Sequence, residues 1–500
     1  MKRRVFCTSA IAALTAASTA LPTLLASAAE AVTGSGPDLS ARGLDGSRFL
    51  LPDKDVADLQ RRLRGALLRP GQDNYEQARR VWNGAFDRHP ALIARCAGAS
   101  DVIETVSFAR AHGLLTAVRG GGHSFSGQST CEGGLVIDLS PMKSVRVDPG
   151  AMRVRVEPGV LLGELDRECQ AFNLATPAGT ISHTGVAGLT LGGGIGRLAR
   201  KYGLACDNLV AGDVVTANGR LVRANAQDNP DLLWGLRGGG GNFGVVTSFE
   251  YRLHAVKPDM FGGQLVFPYA DARPILEFFS GFALQAPDEL NVDARLVTLP
   301  DGTRILGFDV CYNGAVADGE RLIRPLRQFR KPLLDGLGPA KYVELQRAGD
   351  GNVPHGRNYY VKAGFVPRID APLSEASLAQ FEALPAPAFS VHFVHLGGAI
   401  ARVSSSATAF PHREAGHSVI LLAAWDGQGD PAGYVERGRK SWQTLEPFTA
   451  GFYVNDVGAD DSERRLRDNY GANLERLTAL KSKFDPTNLF RLNANVRPRV

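Results

Sequence analysis

Three short stretches of this 500-residue chain place glycines where the backbone itself can do chemistry: Arg119-Gly120-Gly121-Gly122-His123-Ser124, the run from Thr184 to Gly196 (TGVAGLTLGGGIG) and the run from Arg237 to Gly244 (RGGGGNFG). Glycine tolerates φ > 0 and keeps side chains out of the way, so successive N–H groups can converge on an anion. One such loop is an ordinary tight turn. Three within about 125 residues imply a ligand with a long phosphate-bearing spine, such as a dinucleotide. His123 adds an imidazole, a competent nucleophile, beside the first run.

These loops need elements to hold them. Val102, Ile103, Val106 and Ala109 form a helical stripe in DVIETVSFARAH (101–112), which leads through Gly113 into a strand, LLTAV, and then the first loop. LVIDLS and the alternating VRVRVEPGV follow as strands, and the third loop feeds a strand, VVTSFEYRL. Gly239, Gly241 and Gly244 match the spacing of the nucleotide fingerprint GxGxxG, which requires a strand before it and a helix after it. Here the helix-like DLLWGL precedes and a strand follows, so a Rossmann fold is excluded. After Met260 the pattern changes to β-like runs such as FSVHFVHL and SVILLAAW, alternating with helices such as DGERLIRPLRQFR. This predicts a second domain on a largely antiparallel sheet. A last helix is expected around Glu463 to Leu480, stopped at Asp485-Pro486.

The composition fits a soluble chain of two or three domains, with 44% hydrophobic and 21% charged residues. Glycine, 57 of 500, stands out against an average near 7%. Lys plus Arg exceeds Asp plus Glu by only 56 − 51 = 5, and no basic cluster interleaves with aromatics, so a nucleic-acid surface is excluded. Residues 1–28 read as a signal peptide: Lys2-Arg3-Arg4, an apolar stretch to Leu25, and Ala26-Ser27-Ala28 as the cleavage site. Arg3-Arg4-Val5-Phe6 resembles the twin-arginine signal, which predicts a periplasmic or secreted protein handled by the twin-arginine export machinery. A general secretory signal is the alternative. No later run of about twenty apolar residues predicts a stable membrane span. Cys96, Cys131, Cys169, Cys206 and Cys311 show no CxxC spacing, so no metal site is expected, while one or two disulfides are permitted.

RGGGHS (119–124), TGVAGLTLGGGIGRLARKYGLACDNL from Thr184, DLLWGLRGGGGNFGVVT from Asp231 and YGANLERLTALKSKFDPTNLFRLNANV from Tyr470 together resemble the berberine-bridge-enzyme-like oxidoreductases of the vanillyl-alcohol oxidase and p-cresol methylhydroxylase superfamily. HLGGA (395–399) and AFPHR (409–413) extend the resemblance over nearly all of the chain beyond the leader. It implies an α+β flavoprotein with the two-domain fold of the p-cresol methylhydroxylase type. An FAD-binding domain spans 45–260, a substrate domain with an antiparallel sheet flanked by helices spans 261–450, and the segment 451–500 returns to the FAD domain.

The resemblance also implies roles for particular residues. His123 would bond covalently to the flavin 8α-methyl; Arg119, Gly120, Gly121, Gly122 and Ser124 would surround the pyrophosphate. Gly185, Val186, Gly188 and Gly193 would line the isoalloxazine and ribityl side, Val246 would meet the adenine, and Asn493 and Asn495 would hydrogen-bond near the flavin. Many members carry a second flavin link through a cysteine four residues before the first glycine of the second loop. Here that position is Ile181, so a single link is expected, with a lower reduction potential than in doubly linked members. Cys206 lies too far along to replace it.

The catalytic base remains open between two residues. The family's Tyr-x-Asn-Tyr stretch corresponds to Tyr453-Val454-Asn455-Asp456, with Asp456 in place of the second tyrosine. A buried carboxylate beside a flavin can have its pKa raised towards neutrality, which makes Asp456 a base; otherwise it is a turn residue, and Tyr453 is the other candidate. His392 and His395 have opposite strand parity and cannot both face one cavity. Tyr360 and Lys362 share a strand face and are candidates for binding a substrate. The expected reaction is hydride transfer from the C–H of an alcohol, sugar or amine to flavin N5, followed by reoxidation by O2 to give hydrogen peroxide. Thr184, at the position resembling the family's oxygen gatekeeper, leaves a dehydrogenase with a quinone-type acceptor open, and a non-catalytic FAD-binding protein is the more distant alternative.

Overall fold

In the computed structural model, residues 37–427 and 431–499 are described; the expected leader at 1–28 lies outside them. Strands Leu92–Arg95, Leu135–Asp138 and Thr116–Arg119 run parallel, and Ala66–Leu68 adds antiparallel at one edge. Helix Ala99–Ala111 makes the crossover and buries Val102, Val106 and Ala109. Asp101 in its first turn fixes the entry, its carboxylate accepting from the backbone N–H groups of Arg64, Gly65 and Ala97 at 2.8–3.0 Å. The first glycine loop leaves the carboxyl end of strand Thr116–Arg119, where parallel strands leave room for ligands.

A five-stranded antiparallel sheet (Leu221–Ala224, Leu209–Val215, Val245–Arg252, Arg153–Val156, Val145–Asp148) lies beside this layer. Its core of Val154, Leu165, Phe249 and Tyr251 is continuous with Leu232 and Trp234 of helix Pro230–Leu236, and with Leu477 and Leu480 of helix Leu474–Phe484. The C-terminal segment thus completes the core of the glycine-loop region. Gly471, at φ 49°, divides the single helix expected there into Glu463–Tyr470 and Leu474–Phe484.

Residues 259–425 build an eight-stranded sheet, antiparallel at every pairing. Helices Ala272–Leu284, Val316–Phe329, Ala371–Ala383 and Pro431–Leu445 cover one face, Phe279 of the first packing in one core with Leu296, Phe308 and Val391 of the sheet. In strands Phe389–His395 and His417–Trp425 the odd positions are buried in that core, while His392, Val394, Ile420 and Leu422 on the other face remain half-buried. That second face roofs the site.

The second glycine run departs from the expectation of an open loop: Val186–Gly192 is a helix, and only Gly193 and Gly194 take positive φ. Val186, Ala187 and Thr190 supply its buried face, while Leu189 and Leu191 line the cavity. The five described cysteines are all free and buried, which corrects the expectation that disulfides were permitted. Among the described residues, no helix is long and apolar enough to cross a membrane.

Candidate active site

A cavity of about 490 Å³ opens between the glycine loops and the sheet roof. Gly120, Gly121, Gly122, His123 and Ser124 form one wall; Gly185, Gly188 and Leu189 form the next; Gly240, Gly241, Val245 and Val246 come from the third run. His392, Val394, Ile420 and Leu422 close it from the sheet, and Tyr453 to Val457 enter from the C-terminal segment.

The first two loops pack backbone against backbone. A Cβ on Gly121 would lie 2.4 Å from the Gly185 Cα, and one on Gly185 would lie 2.4 Å from the Gly121 nitrogen, so neither position accepts a side chain. Among the described residues, the N–H groups of Gly121, Gly122, His123 and Ser124 donate to no protein acceptor. Among the described residues, no lysine or arginine lines the cavity. Anion binding there falls to these amides, with Ser124 and Gln128 beside them. Ser129 Oγ and Asn493 Oδ1, both on the wall, are buried without a partner, which fits a polar group held in the cavity. The residues present therefore suit FAD.

His123 is held by Trp82 and His183. Trp82 stacks on its ring at 4.1 Å between centroids and 14° between planes, and Tyr359 stacks on the other face of Trp82 at 4.0 Å. Its Nε2 lies 3.1 Å from His183 Nδ1. The exposed His355 stands beyond, 4.9 Å from His183 between centroids. Burial, then the neighbouring His183 and His355, push the His123 pKa down to about 3, so the imidazole is neutral at ordinary pH.

Asp456 ends a short 3-10 turn, Val454–Asp456, on the cavity wall. Burial alone pushes its pKa up to about 7. Tyr453 behaves differently: its hydroxyl accepts from the Gly194 N–H at 2.9 Å and from Asn455 Nδ2 at 2.6 Å, and burial raises its pKa. It lines the cavity, but its oxygen anchors the turn that carries Asp456.

Of the other expected residues, Gly120, Gly121, Gly122, Ser124, Gly185, Gly188, Val246 and Asn493 lie on the wall. Arg119, Val186, Gly193 and Asn495 lie off it, for separate reasons. The Arg119 guanidinium turns back to the Ala78 carbonyl and packs under Gly122. Val186 is 1% exposed in the core, and its N–H is taken by Val160 O at 3.0 Å. Gly193, at φ 132°, faces Phe410 and Tyr453. The Asn495 amide oxygen is buried without a partner, away from the wall.

Tyr360 and Lys362 lie off the wall as well. Lys362 Nζ pairs with Asp461 at 2.6 Å and Asp460 at 2.8 Å, and the Tyr360 hydroxyl meets Asp460 at 3.1 Å. Both therefore tie the C-terminal segment to the sheet. His395 stacks on His417 in the core at 5.3 Å, leaving His392 as the histidine on the cavity side. Cys206 is buried behind Gly193, and Ile181 occupies the wall where a second link would come. Trp82, His183 and Ser129 were not anticipated. His183 stands two residues beyond Ile181 in a stretch already singled out, and its type was the available signal.

The amide-lined cradle and the wall histidine define a flavin site, and comparison with known proteins agrees. Residues 90–225 match the family model described as FAD binding domain, and 453–497 match the one described as berberine and berberine like. An FAD-linked oxidoreductase of Dictyostelium discoideum is 33% identical over 441 residues, covering 87% of this chain and 95% of that protein. (R)-6-hydroxynicotine oxidase of Paenarthrobacter nicotinovorans is 31% identical, covering 87% and 97%. The crystal structure of 6-hydroxy-D-nicotine oxidase from Arthrobacter nicotinovorans has a TM-score of 0.81 at 28% identity, covering 87% of this chain and 98% of that one. The chain belongs to the berberine-bridge-like FAD-linked oxidoreductases. It is an FAD-dependent enzyme with the α+β fold of that family.

Proposed function

We propose that this chain is an oxidase that carries FAD on a single covalent link through His123, takes a hydride from the carbon bearing an alcohol or amine, and passes the electrons to O2 as hydrogen peroxide. When bound, FAD supplies the two-electron acceptor. The protein supplies four things. The N–H groups of Gly121 to Ser124 hold the diphosphate without any cationic side chain. His123, neutral and clamped by Trp82, presents Nδ1, the ring nitrogen not engaged by His183, and its Nε2 proton passes to His183 Nδ1 at 3.1 Å. Ile181 leaves no second attachment point. Asp456 accepts the proton from the substrate hydroxyl or amine as the hydride leaves, its pKa near 7 suiting a base at neutral pH.

The observation that carries the reading is the placing of a neutral His123 and a carboxylate of raised pKa on the walls of one cavity. The test is a steady-state assay of the purified protein against alcohols and amines, comparing O2 with an artificial acceptor. Peroxide equimolar with product supports an oxidase; turnover only with the artificial acceptor contradicts it. We further propose export by the twin-arginine route to the periplasm or beyond, since Arg3-Arg4 opens the leader and a tethered cofactor is installed before a folded protein crosses the membrane. Replacing both arginines by lysine should leave the flavoprotein in the cytoplasmic fraction.

A further inference from the structure

The roof of the cavity is poor in polar groups. Val394, Ile420 and Leu422 project from the sheet, Ile181 and Val353 close the flanks, and Val454 and Val457 bracket Asp456. Among the described residues, Asp456 is the only carboxylate on the lining. His392 is the one polar side chain that the roof strands present, directly opposite Ile420 in register. Ser390 Oγ engages its Nε2 at 2.8 Å, and Nδ1 has no protein partner among the described residues. Arg295, its register partner on the other side, is paired with Asp309 at 3.1 Å and stays off the wall. Burial, then Arg295, pushes the His392 pKa down to about 4, so the ring is a neutral hydrogen-bonding group.

We infer that the substrate is an apolar ring compound with a single hydroxyl or amine on the carbon to be oxidised, bound against Val394, Ile420 and Leu422 with His392 Nδ1 as its one polar anchor on the roof. This rests on the proposed oxidase reading and narrows it. An oligosaccharide would bury several hydroxyls against an aliphatic roof whose strands offer His392 alone, each unpaired hydroxyl weakening binding by about tenfold or more. A carboxylate substrate would meet Asp456 with no lysine or arginine to balance it. An apolar ring loses neither and gains from leaving water.

The experiment uses the protein as purified and two readouts, perturbation of the flavin spectrum under anaerobic conditions and thermal shift. The probes are 1-phenylethanol and 2-phenylpyrrolidine against xylobiose and lactate. The expected result is that the ring probes bind at least about tenfold more tightly than xylobiose or lactate. His392→Leu should weaken 1-phenylethanol by about tenfold with flavin content unchanged, and Leu422→Gln should narrow the margin over xylobiose. Binding of xylobiose or lactate as tight as that of the ring probes overturns the inference, as does failure of both ring probes to bind at millimolar concentration. Flavin reduced by xylobiose would overturn this inference and leave the oxidase reading standing. Protein purified without flavin would overturn the oxidase reading, while the thermal shifts would still rank the four probes.

Discussion

His183 Nδ1 sits 3.1 Å from His123 Nε2 on the side of the ring that Trp82 leaves free. A nucleophilic imidazole must shed a proton as it bonds, and His183 is the acceptor within reach. His355, exposed at the far side of His183, offers the way to solvent. Replacing His183 by phenylalanine keeps an aromatic ring and removes the acceptor. His183→Phe protein should bind FAD yet retain little of it after acid precipitation, whereas the parent protein retains nearly all. Equal retention in both would remove His183 from the attachment step.

Asp456 sets the expected pH profile. Its carboxyl must be ionised to take a proton, so kcat/KM should rise with pH through about 7 and then level off. Asp456→Asn should lose that limb and lower kcat by about 10²- to 10³-fold, with flavin content unchanged.

Tyr453→Phe separates the two candidates for the base. Phenylalanine leaves the Gly194 N–H without its acceptor in a buried position, which should cost about 1–3 kcal/mol of stability. The pH limb near 7 should remain. Its disappearance in Tyr453→Phe but not in Asp456→Asn would assign the base to the tyrosine.

Much of this site was legible in the residue types and their order. The first loop needs glycine at 120–122 for steric reasons that show directly as a three-glycine run, and the strand before it and His123 after it follow from local pattern. The inverted context of the third run correctly excluded a Rossmann fold, because strand Val245–Arg252 follows it and helix Pro230–Leu236 precedes it. Parity separated His392 from His395, although which one faced the cavity depended on which face the helices cover. Arg119, Val186 and Gly193 lie off the wall although their neighbours in sequence line it, because the Arg119 side chain turns to Ala78, Val186 packs in the core and Gly193 faces Phe410 and Tyr453. Trp82 and His183 reach His123 from residues 41 and 60 positions away, pairings that only the packed fold creates.

The third loop depends on an ion pair buried to 0% exposure on both partners. Lys481 Nζ meets Asp485 at 2.7 Å and also donates to Asn242 O at 3.0 Å and Phe490 O at 2.8 Å, linking helix Leu474–Phe484 to the glycine run. Lys481→Met would leave the Asp485 charge buried without its counter-ion and should cost about 3–5 kcal/mol in denaturant unfolding. Flavin content should fall as well, since Asn242 and Asn493 hold the loop against the same segment.

His417 predicts acid lability. Burial pushes its pKa down to about 3, from 6.5 in an unfolded chain, so between pH 6.5 and 3 the unfolded state takes a proton that the folded state refuses. Stability should therefore fall as pH drops through that window, by up to about 1.4 kcal/mol per pH unit from this group. Neither ring nitrogen has a protein partner among the described residues, so His417→Phe breaks no hydrogen bond seen there and should flatten the dependence of Tm on pH below 6.5. An unchanged slope would assign the acid lability to other groups.

The tether is tested most directly by digesting acid-precipitated, washed protein and analysing its peptides by mass spectrometry. A single flavin-bearing peptide, with the added mass on His123 and none elsewhere, is the predicted result. An unmodified His123 peptide, with all of the flavin in the supernatant, would contradict it.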